Sequence, residues 1–190
     1  PRVLRSNPRI DRVLAERNVR SVSRALPRLY GDLAPWFHLL TAPADYEEEA
    51  AFYLHHLQAT ATRPIHTVLE LGSGGGNNAS HLKTHVTMAL VDLSPEMLAL
   101  SETLNPECEH VVGELRSVRL HRRLDAVFVL DAVSYLTEVA DLAAAVATGW
   151  VHCAPGGAVL FDPDVVTETF RKNTGSGGHD GPGRSLRYTE

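Results

Sequence analysis

The run Val68-Leu69-Glu70-Leu71-Gly72-Ser73-Gly74-Gly75-Gly76-Asn77 constrains this chain more than any other stretch. A short apolar segment bounded by glycines reads as a buried strand. Gly72 and Gly74 let the backbone turn tightly and let a ligand approach where a Cβ would stand in the way. The polar residues from Asn77 open a helix whose N–H groups point back at the turn, a setting that suits a carboxylate or a phosphate. Strand, glycine turn and helix in that order begin a βαβ unit, and open α/β sheets bind ligands at such carboxyl ends.

The rest of the chain keeps that rhythm. Strands are expected over Ile65–Leu71, Val86–Val91, His110–Val112, Asp125–Leu130 and Ala158–Phe161. Helices are expected near Asn77–Lys83, from Ser94-Pro95 to about Leu104, and from a Thr137 cap to about Thr148. Ser94 suits a cap, and proline at the first helical position loses no hydrogen bond. Strands separated by helices imply a parallel sheet with right-handed crossovers, hence an α/β, doubly wound, Rossmann-like fold with helices on both faces. After Asp162 the pattern dissolves. Asn173–Gly183 reads as a mobile, glycine-rich loop, and Ser185–Glu190 as the start of another strand.

Three units are expected: a basic helical arm over residues 1–29, an aromatic and helical cover over 30–64, and the core over 65–190. In the arm Ile10, Val13, Leu14, Val19, Val22 and Leu26 share a helical face that Pro27 ends. It carries eight arginines against Asp11 and Glu16, although the whole chain has a net charge of -5. Without lysines, interleaved aromatics or a recognition motif, that charge reads as a solvated face docked on an acidic body, and nucleic acid is not expected as a partner. In the cover, Asp45–Ala59 reads as an amphipathic helix capped by Asp45, with Tyr46, Ala50, Tyr53, Leu54 and Leu57 buried. No apolar run approaches a membrane span and no leader opens the chain. Cys108 and Cys153 form no metal-type pair, so reduced thiols in a cytoplasmic protein are expected.

The turn itself discriminates between cofactors. Asp92 closes the second strand, where a carboxylate can accept hydrogen bonds from ribose hydroxyls. A dinucleotide fingerprint needs a third glycine where Asn77 stands. Glu70 beside the turn repels a pyrophosphate and attracts an ammonium group, which a methionine moiety has and NAD lacks.

Glu70-Leu-Gly-Ser-Gly-Gly-Gly resembles the first motif of the class I S-adenosylmethionine-dependent methyltransferases, including bacterial natural-product enzymes. Val91-Asp92-Leu93-Ser94-Pro95-Glu96-Met97-Leu98 is similar to the family's next segment, and Gly113-Glu114-Leu115-Arg116 to the turn after its third strand. Asp125–Asp131 resembles the fourth strand, and Ala154-Pro155-Gly156-Gly157 the turn before the fifth. The resemblance implies that Gly72, Ser73, Gly74 and Glu70 hold the methionine end of S-adenosylmethionine, that Asp92 binds the ribose, and that Leu93 and Met97 sandwich the adenine. It places Glu114 and Leu115 at the adenine edge, and Leu130 and Asp131 beside the sulfonium and the acceptor. S-adenosylhomocysteine would be the product. The family's sheet ends in two further strands, the last antiparallel, and these are expected beyond Glu190.

Tyr30-Gly-Asp-Leu-Ala-Pro-Trp36-Phe37-His38 is similar to an aromatic stretch that covers the cofactor in small-molecule methyltransferases. Tyr30 is assigned to the cofactor; for Trp36 and Phe37, cofactor contact and an aromatic staple stand equal. His38 stands where the resemblance places Asp. Tyr135, Asp131 and His179 are the candidate catalytic residues, the last as a base on the mobile loop. His81 and His85 straddle a helix end without a third ligand nearby, so no metal site is expected. The function expected is methyl transfer to a nitrogen or oxygen of a small molecule. The rivals are an NAD(P)-linked oxidoreductase and a non-catalytic S-adenosylmethionine-binding regulatory domain, and a homodimer is left open.

Overall fold

The computed structural model describes residues 26–172 and 174–189. Apart from Leu26, the helix expected in the basic arm lies outside these residues. The cover begins with tight 3-10 turns at Arg28–Tyr30 and Ala34–Trp36, a short helix α1 (Phe37–Leu40) and a further turn at Pro43–Tyr46. Helix α2 (Glu47–Thr60) follows. Glu47, Glu48 and Glu49 fill its first turn, where carboxylates complement the positive helix end. The expected Asp45 cap is not formed, because Asp45 lies one turn earlier, in the 3-10 segment. Ala50, Tyr53, Leu54 and Leu57 are the buried stripe.

The core alternates β1 (Thr67–Leu71), α3 (Asn77–Leu82), β2 (Thr87–Asp92), α4 (Pro95–Leu104), β3 (Glu109–Val112), β4 (Leu124–Val129), α5 (Val139–His152) and β5 (Cys153–Phe161). All four strand pairings are parallel, in the order β3-β2-β1-β4-β5. The order reverses between β1 and β4, and this switch point puts the glycine turn after β1 beside the end of β4. Every residue of β4 is buried, as a central strand covered on both faces requires. One face of the sheet packs Val68, Leu90 and Phe128 under α2 and α3. The other packs Leu69, Val91 and Val127 with Val159 and Phe161, against which Gly149 seats α5.

Local chemistry explains the boundaries. β1 starts at Thr67 because Asp125 Oδ2 accepts hydrogen bonds from the His66 and Thr67 N–H groups and the Thr67 hydroxyl, each 3.0 Å long. Ser94 caps α4 as expected, its Oγ accepting from Met97 N at 3.0 Å. The Thr137 cap does not form. A 3-10 segment, Asp131–Tyr135, follows β4 instead, and α5 starts at Val139 without a side-chain cap. Beyond Asp162 the glycine-rich stretch folds into two-residue antiparallel pairings, Ser176–Gly177 with Tyr188–Thr189 and Asp180–Gly181 with Arg184–Ser185. The strand expected from Ser185 therefore stays off the central sheet. No helix among the described residues is long and apolar enough to cross a membrane.

Candidate functional site

The site is built on the glycine turn. Gly72 N and Ser73 N both donate to Val91 O, at 2.7 and 3.0 Å, so the turn is tied to the end of β2. Gly72 has φ +81°, and a Cβ there would run into the Cβ of Ala132. Gly74 N donates to Asp92 Oδ2 at 2.7 Å, and Ser94 N donates to Asp92 Oδ1 at 2.8 Å. Asp92 is thus fixed from two sides. Its burial raises its pKa, opposed by the N–H groups of Ser94 and Gly74.

Side chains alternate along a strand. Glu70 therefore shares the face of Val68, Asp92 that of Leu90, and Asp162 that of Leu160, all toward the α2 side of the sheet. Three carboxylates consequently stand along one carboxyl edge. Glu70 is 4% exposed, and its Oε2, like the Ser73 Oγ, has no hydrogen-bond partner among the described residues. Burial pushes the Glu70 carboxyl well above its ordinary pKa, and Asp92, Glu49 and Asp131 push it further. Tyr53 Oη donates to Asp162 Oδ2 at 2.7 Å. Glu49 is held by Asn78, whose Nδ2 donates to its Oε1 at 2.9 Å.

The cover closes over this edge. Phe37 and His38 fill the space above Gly75, which has no room for a side chain, and His38 Nε2 lies 3.1 Å from Gly75 O. Ser94 Oγ donates to Tyr30 O at 2.5 Å. The Tyr30 hydroxyl meets the Tyr135 hydroxyl at 2.5 Å, with the rings edge to face. Burial and this bond raise the Tyr30 pKa, as do the nearby charges of Asp92 and Asp131. Partial desolvation of its carboxyl group and the neighbouring Asp164 carboxyl raise Asp131 to about 7, although the residue itself is exposed.

The structure thus brings Tyr30, Glu70, Asp92, Asp131 and Tyr135 around one glycine turn. Met97 is buried, with Cε 3.6 Å from where a Gly74 Cβ would stand, whereas Leu93 is 48% exposed beside it. Leu115 packs into the core face behind the turn, and Leu130 is buried at the end of β4. Glu114 is engaged by Arg116, whose Nε donates to Oε1 at 2.8 Å. His179 is not joined to Asp131 or Tyr135. Its Nε2 lies 3.1 Å from Asp45 Oδ2, and its N–H donates to Leu39 O. The structure also separates Trp36 from Phe37: Phe37 lies on the glycine turn, while Trp36 lies under the Arg184 guanidinium, 5.0 Å from the ring centre. His81 Nε2 lies 2.8 Å from Pro43 O. Asp162 and Asp164 were not singled out from the sequence. Their signal was available: two acids spaced around Pro163 immediately beyond a buried strand.

The geometry fits a cationic ligand at the turn. An unpartnered, buried carboxylate oxygen calls for a donor with positive charge, and the glycine cradle admits one. Residues 68–157 match the family model described as a methyltransferase domain. Over 128 residues the chain is 32% identical to dTDP-3-amino-3,4,6-trideoxy-alpha-D-glucopyranose N,N-dimethyltransferase of Streptomyces venezuelae, covering 66% of this chain and 54% of that protein. The chain therefore spans about half the length of that relative. Among solved structures, Streptomyces venezuelae DesVI superimposes with a TM-score of 0.75 at 26% identity, covering 83% of this chain and 69% of the other. CalS10, an amino pentose methyltransferase from Micromonospora echinaspora solved with S-adenosylmethionine bound, gives 0.67 at 29% identity, covering 76% and 62%. The ordered motifs, the strand order, the glycine cradle and these matches are those of a Rossmann-like methyltransferase domain, to which residues 68–157 are similar.

Proposed function

We propose that the chain catalyses S-adenosylmethionine-dependent methyl transfer to the nitrogen of a small molecule, with an amino sugar as the acceptor. The observation that carries this reading is the buried, unpartnered Glu70 carboxylate beside the glycine cradle. It suits an ammonium group and disfavours the pyrophosphate of a dinucleotide, so an NAD(P)-linked oxidoreductase is set aside. The amino-sugar acceptor is supported by the printed activities of the relatives.

S-adenosylmethionine, when bound, supplies a methyl group already activated on a sulfonium, and leaves as S-adenosylhomocysteine. Gly72, Ser73, Gly74 and Glu70 would hold its methionine end and Asp92 its ribose. Leu93, Met97, Glu114 and Leu115 would border the adenine. Leu130, Asp131 and Tyr135 would face the acceptor, with Tyr30 over both ligands. His179, tied to Asp45, closes the outer cover. The chain's own task is positioning, which is worth about 7–11 kcal/mol when reacting atoms are held at attack distance. A cytoplasmic location is in keeping with the two buried, free cysteines.

The test is calorimetric titration with S-adenosylhomocysteine, with NAD as comparison, followed by methyl transfer to dTDP-3-amino-3,4,6-trideoxy-glucose. Asp92→Ala should weaken S-adenosylhomocysteine by on the order of 10–100-fold, the equivalent of one charge-assisted hydrogen bond. Binding of NAD but not S-adenosylhomocysteine refutes the proposal. Binding without methyl transfer to any amine favours the non-catalytic alternative.

A further inference from the structure

The last glycine of the turn is held from behind by α4 and β3. Gly76, at φ +79°, is the N-cap of α3, and its N–H donates to Ser73 O at 3.0 Å. Its carbonyl accepts twice, from Ser80 N in α3 and from Asn105 Nδ2, each at 3.0 Å. Asn105, the C-cap of α4, and Ser101, one turn earlier, are both fully buried, and a Cβ on Gly76 would overlap them. Ser101 Oγ lies 2.9 Å from His110 Nε2, and His110 Nδ1 lies 3.1 Å from Cys108 O. A carbonyl only accepts, so Nδ1 carries the proton of the neutral ring, Nε2 accepts, and the Ser101 hydroxyl donates to it. The Ser101 oxygen is then open to Asn105 Nδ2, 3.5 Å away. Gly76 O and Ser101 Oγ thus fix which way the Asn105 amide points. Its Oδ1 is left buried, without a partner among the described residues. The helix end does not require this amide. The Asn105 N–H closes α4 on Ser101 O at 2.7 Å, and its carbonyl accepts from Cys108 N at 3.0 Å, through backbone atoms alone. An apolar side chain would end the helix equally well without the cost of an orphaned oxygen.

We propose that Asn105 is a positioning residue for the cofactor. Its amide, oriented by Ser101 and His110, fixes Gly76 and through it Ser73, so that the turn presents one geometry to the methionine end of S-adenosylmethionine. This rests on the methyltransferase reading above. Asn105 acts through Gly76 and Ser73 rather than on the ligand. Binding sites lose affinity when their support lets them shift by about 0.5 Å, and this amide is such a support. The adenosine half of the ligand is assigned to Asp92, Leu93 and Met97, at the other end of α4. The effect of Asn105 is therefore confined to the amino-acid half.

Two ligands separate positioning from a merely structural role. S-adenosylhomocysteine carries both halves, whereas 5′-methylthioadenosine keeps the adenosine and the sulfur but lacks the amino acid. Calorimetry on the full chain should show Asn105→Leu weakening S-adenosylhomocysteine by about 3–10-fold, the size of one neutral hydrogen bond, with 5′-methylthioadenosine within about twofold. Hydrogen exchange of the Gly76 amide in the ligand-free variant should be severalfold faster. The urea midpoint should move by less than about 0.5 M, because Gly76 O keeps its bond from Ser80 N and the orphaned Oδ1 is gone. Should the leucine variant not fold, Asn105→Ala, which needs no extra room, is measured in the same way. Ser101→Ala frees the Asn105 amide to turn and should reproduce part of the loss, about 2–3-fold. Equal weakening of both ligands, undiminished S-adenosylhomocysteine affinity in either the Asn105 or the Ser101 variant, or a urea midpoint that falls by well over 0.5 M overturns the proposal. If the unmodified chain binds neither ligand, the methyltransferase reading falls first and this proposal with it.

Discussion

Replacing Gly72 by alanine tests the contact that joins the two halves of the site. Gly72 sits at φ +81°, where an L side chain costs about 1–2 kcal/mol. Its new methyl group would also overlap the Cβ of Ala132, in the 3-10 segment after β4. Overpacking of that kind costs about 1–3 kcal/mol. The two add to about 2–5 kcal/mol, a large fraction of the 5–15 kcal/mol that domains generally have. Ala132→Gly should relieve the overlap without touching the backbone cost, so the double variant should recover about 1–3 kcal/mol relative to additivity. Urea unfolding followed by tryptophan fluorescence measures all four corners of the cycle, since Trp36 and Trp150 lie in different parts of the fold. A Gly72→Ala protein within about 0.5 kcal/mol of the parent refutes the reasoning altogether, while an additive double variant refutes its steric half.

Other outcomes follow from individual groups. Asp125 is lowered, because bonds from His66, Thr67 and Arg63 outweigh the burial that would raise it. Its stabilisation is present above the unfolded value and lost as pH falls below about 4, so acid titration of unfolding should show a decline that Asp125→Ala abolishes. Glu70 has the opposite sign: its raised pKa makes the fold lose stability as pH rises above about 4. Glu70→Gln should therefore flatten that loss in the same titration while weakening S-adenosylhomocysteine in calorimetry; a steeper loss would contradict the assigned burial. Arg184→Ala removes the cation from Trp36 and the bond from Nη2 to Pro35 O, 2.7 Å long. At about 0.5–2 kcal/mol, the cation–π part alone should make cleavage within residues 173–183 severalfold faster in limited proteolysis.

The parallel sheet was legible because its strands are short apolar runs whose burial needs no partner to be guessed. β4 and the strand before the glycine turn are the clearest examples. The turn was legible because Gly72, Gly74 and Gly76 take the positive φ that favours glycine. What was not legible depends on partners distant in sequence. Asp45 has the chemistry of a cap, but His179 lies on it and the helix starts later. Trp36 and Phe37 are equivalent as neighbours in a sequence; Arg184 and Gly75 tell them apart. Asp162 meets Tyr53 only because β5 lies beside β4 on the sheet that α2 covers, and strand order cannot be read from apolar runs.

The contact between Trp36 and Arg184 also has a consequence for biosynthesis. About 150 residues separate the two, and translation at roughly 5–20 residues per second takes on the order of 8–30 s to cross that gap. The cover leaves the ribosome before every strand it will lie on, carrying Phe37, Leu39 and Leu40 uncovered. Phe37 finds the glycine turn only after β1 and α3 have emerged, Leu39 waits for Gly181, and the clamp closes last. Nascent chains of this protein therefore pass through a long interval in which Phe37, Leu39 and Leu40 lie exposed. It is there that a chaperone should bind.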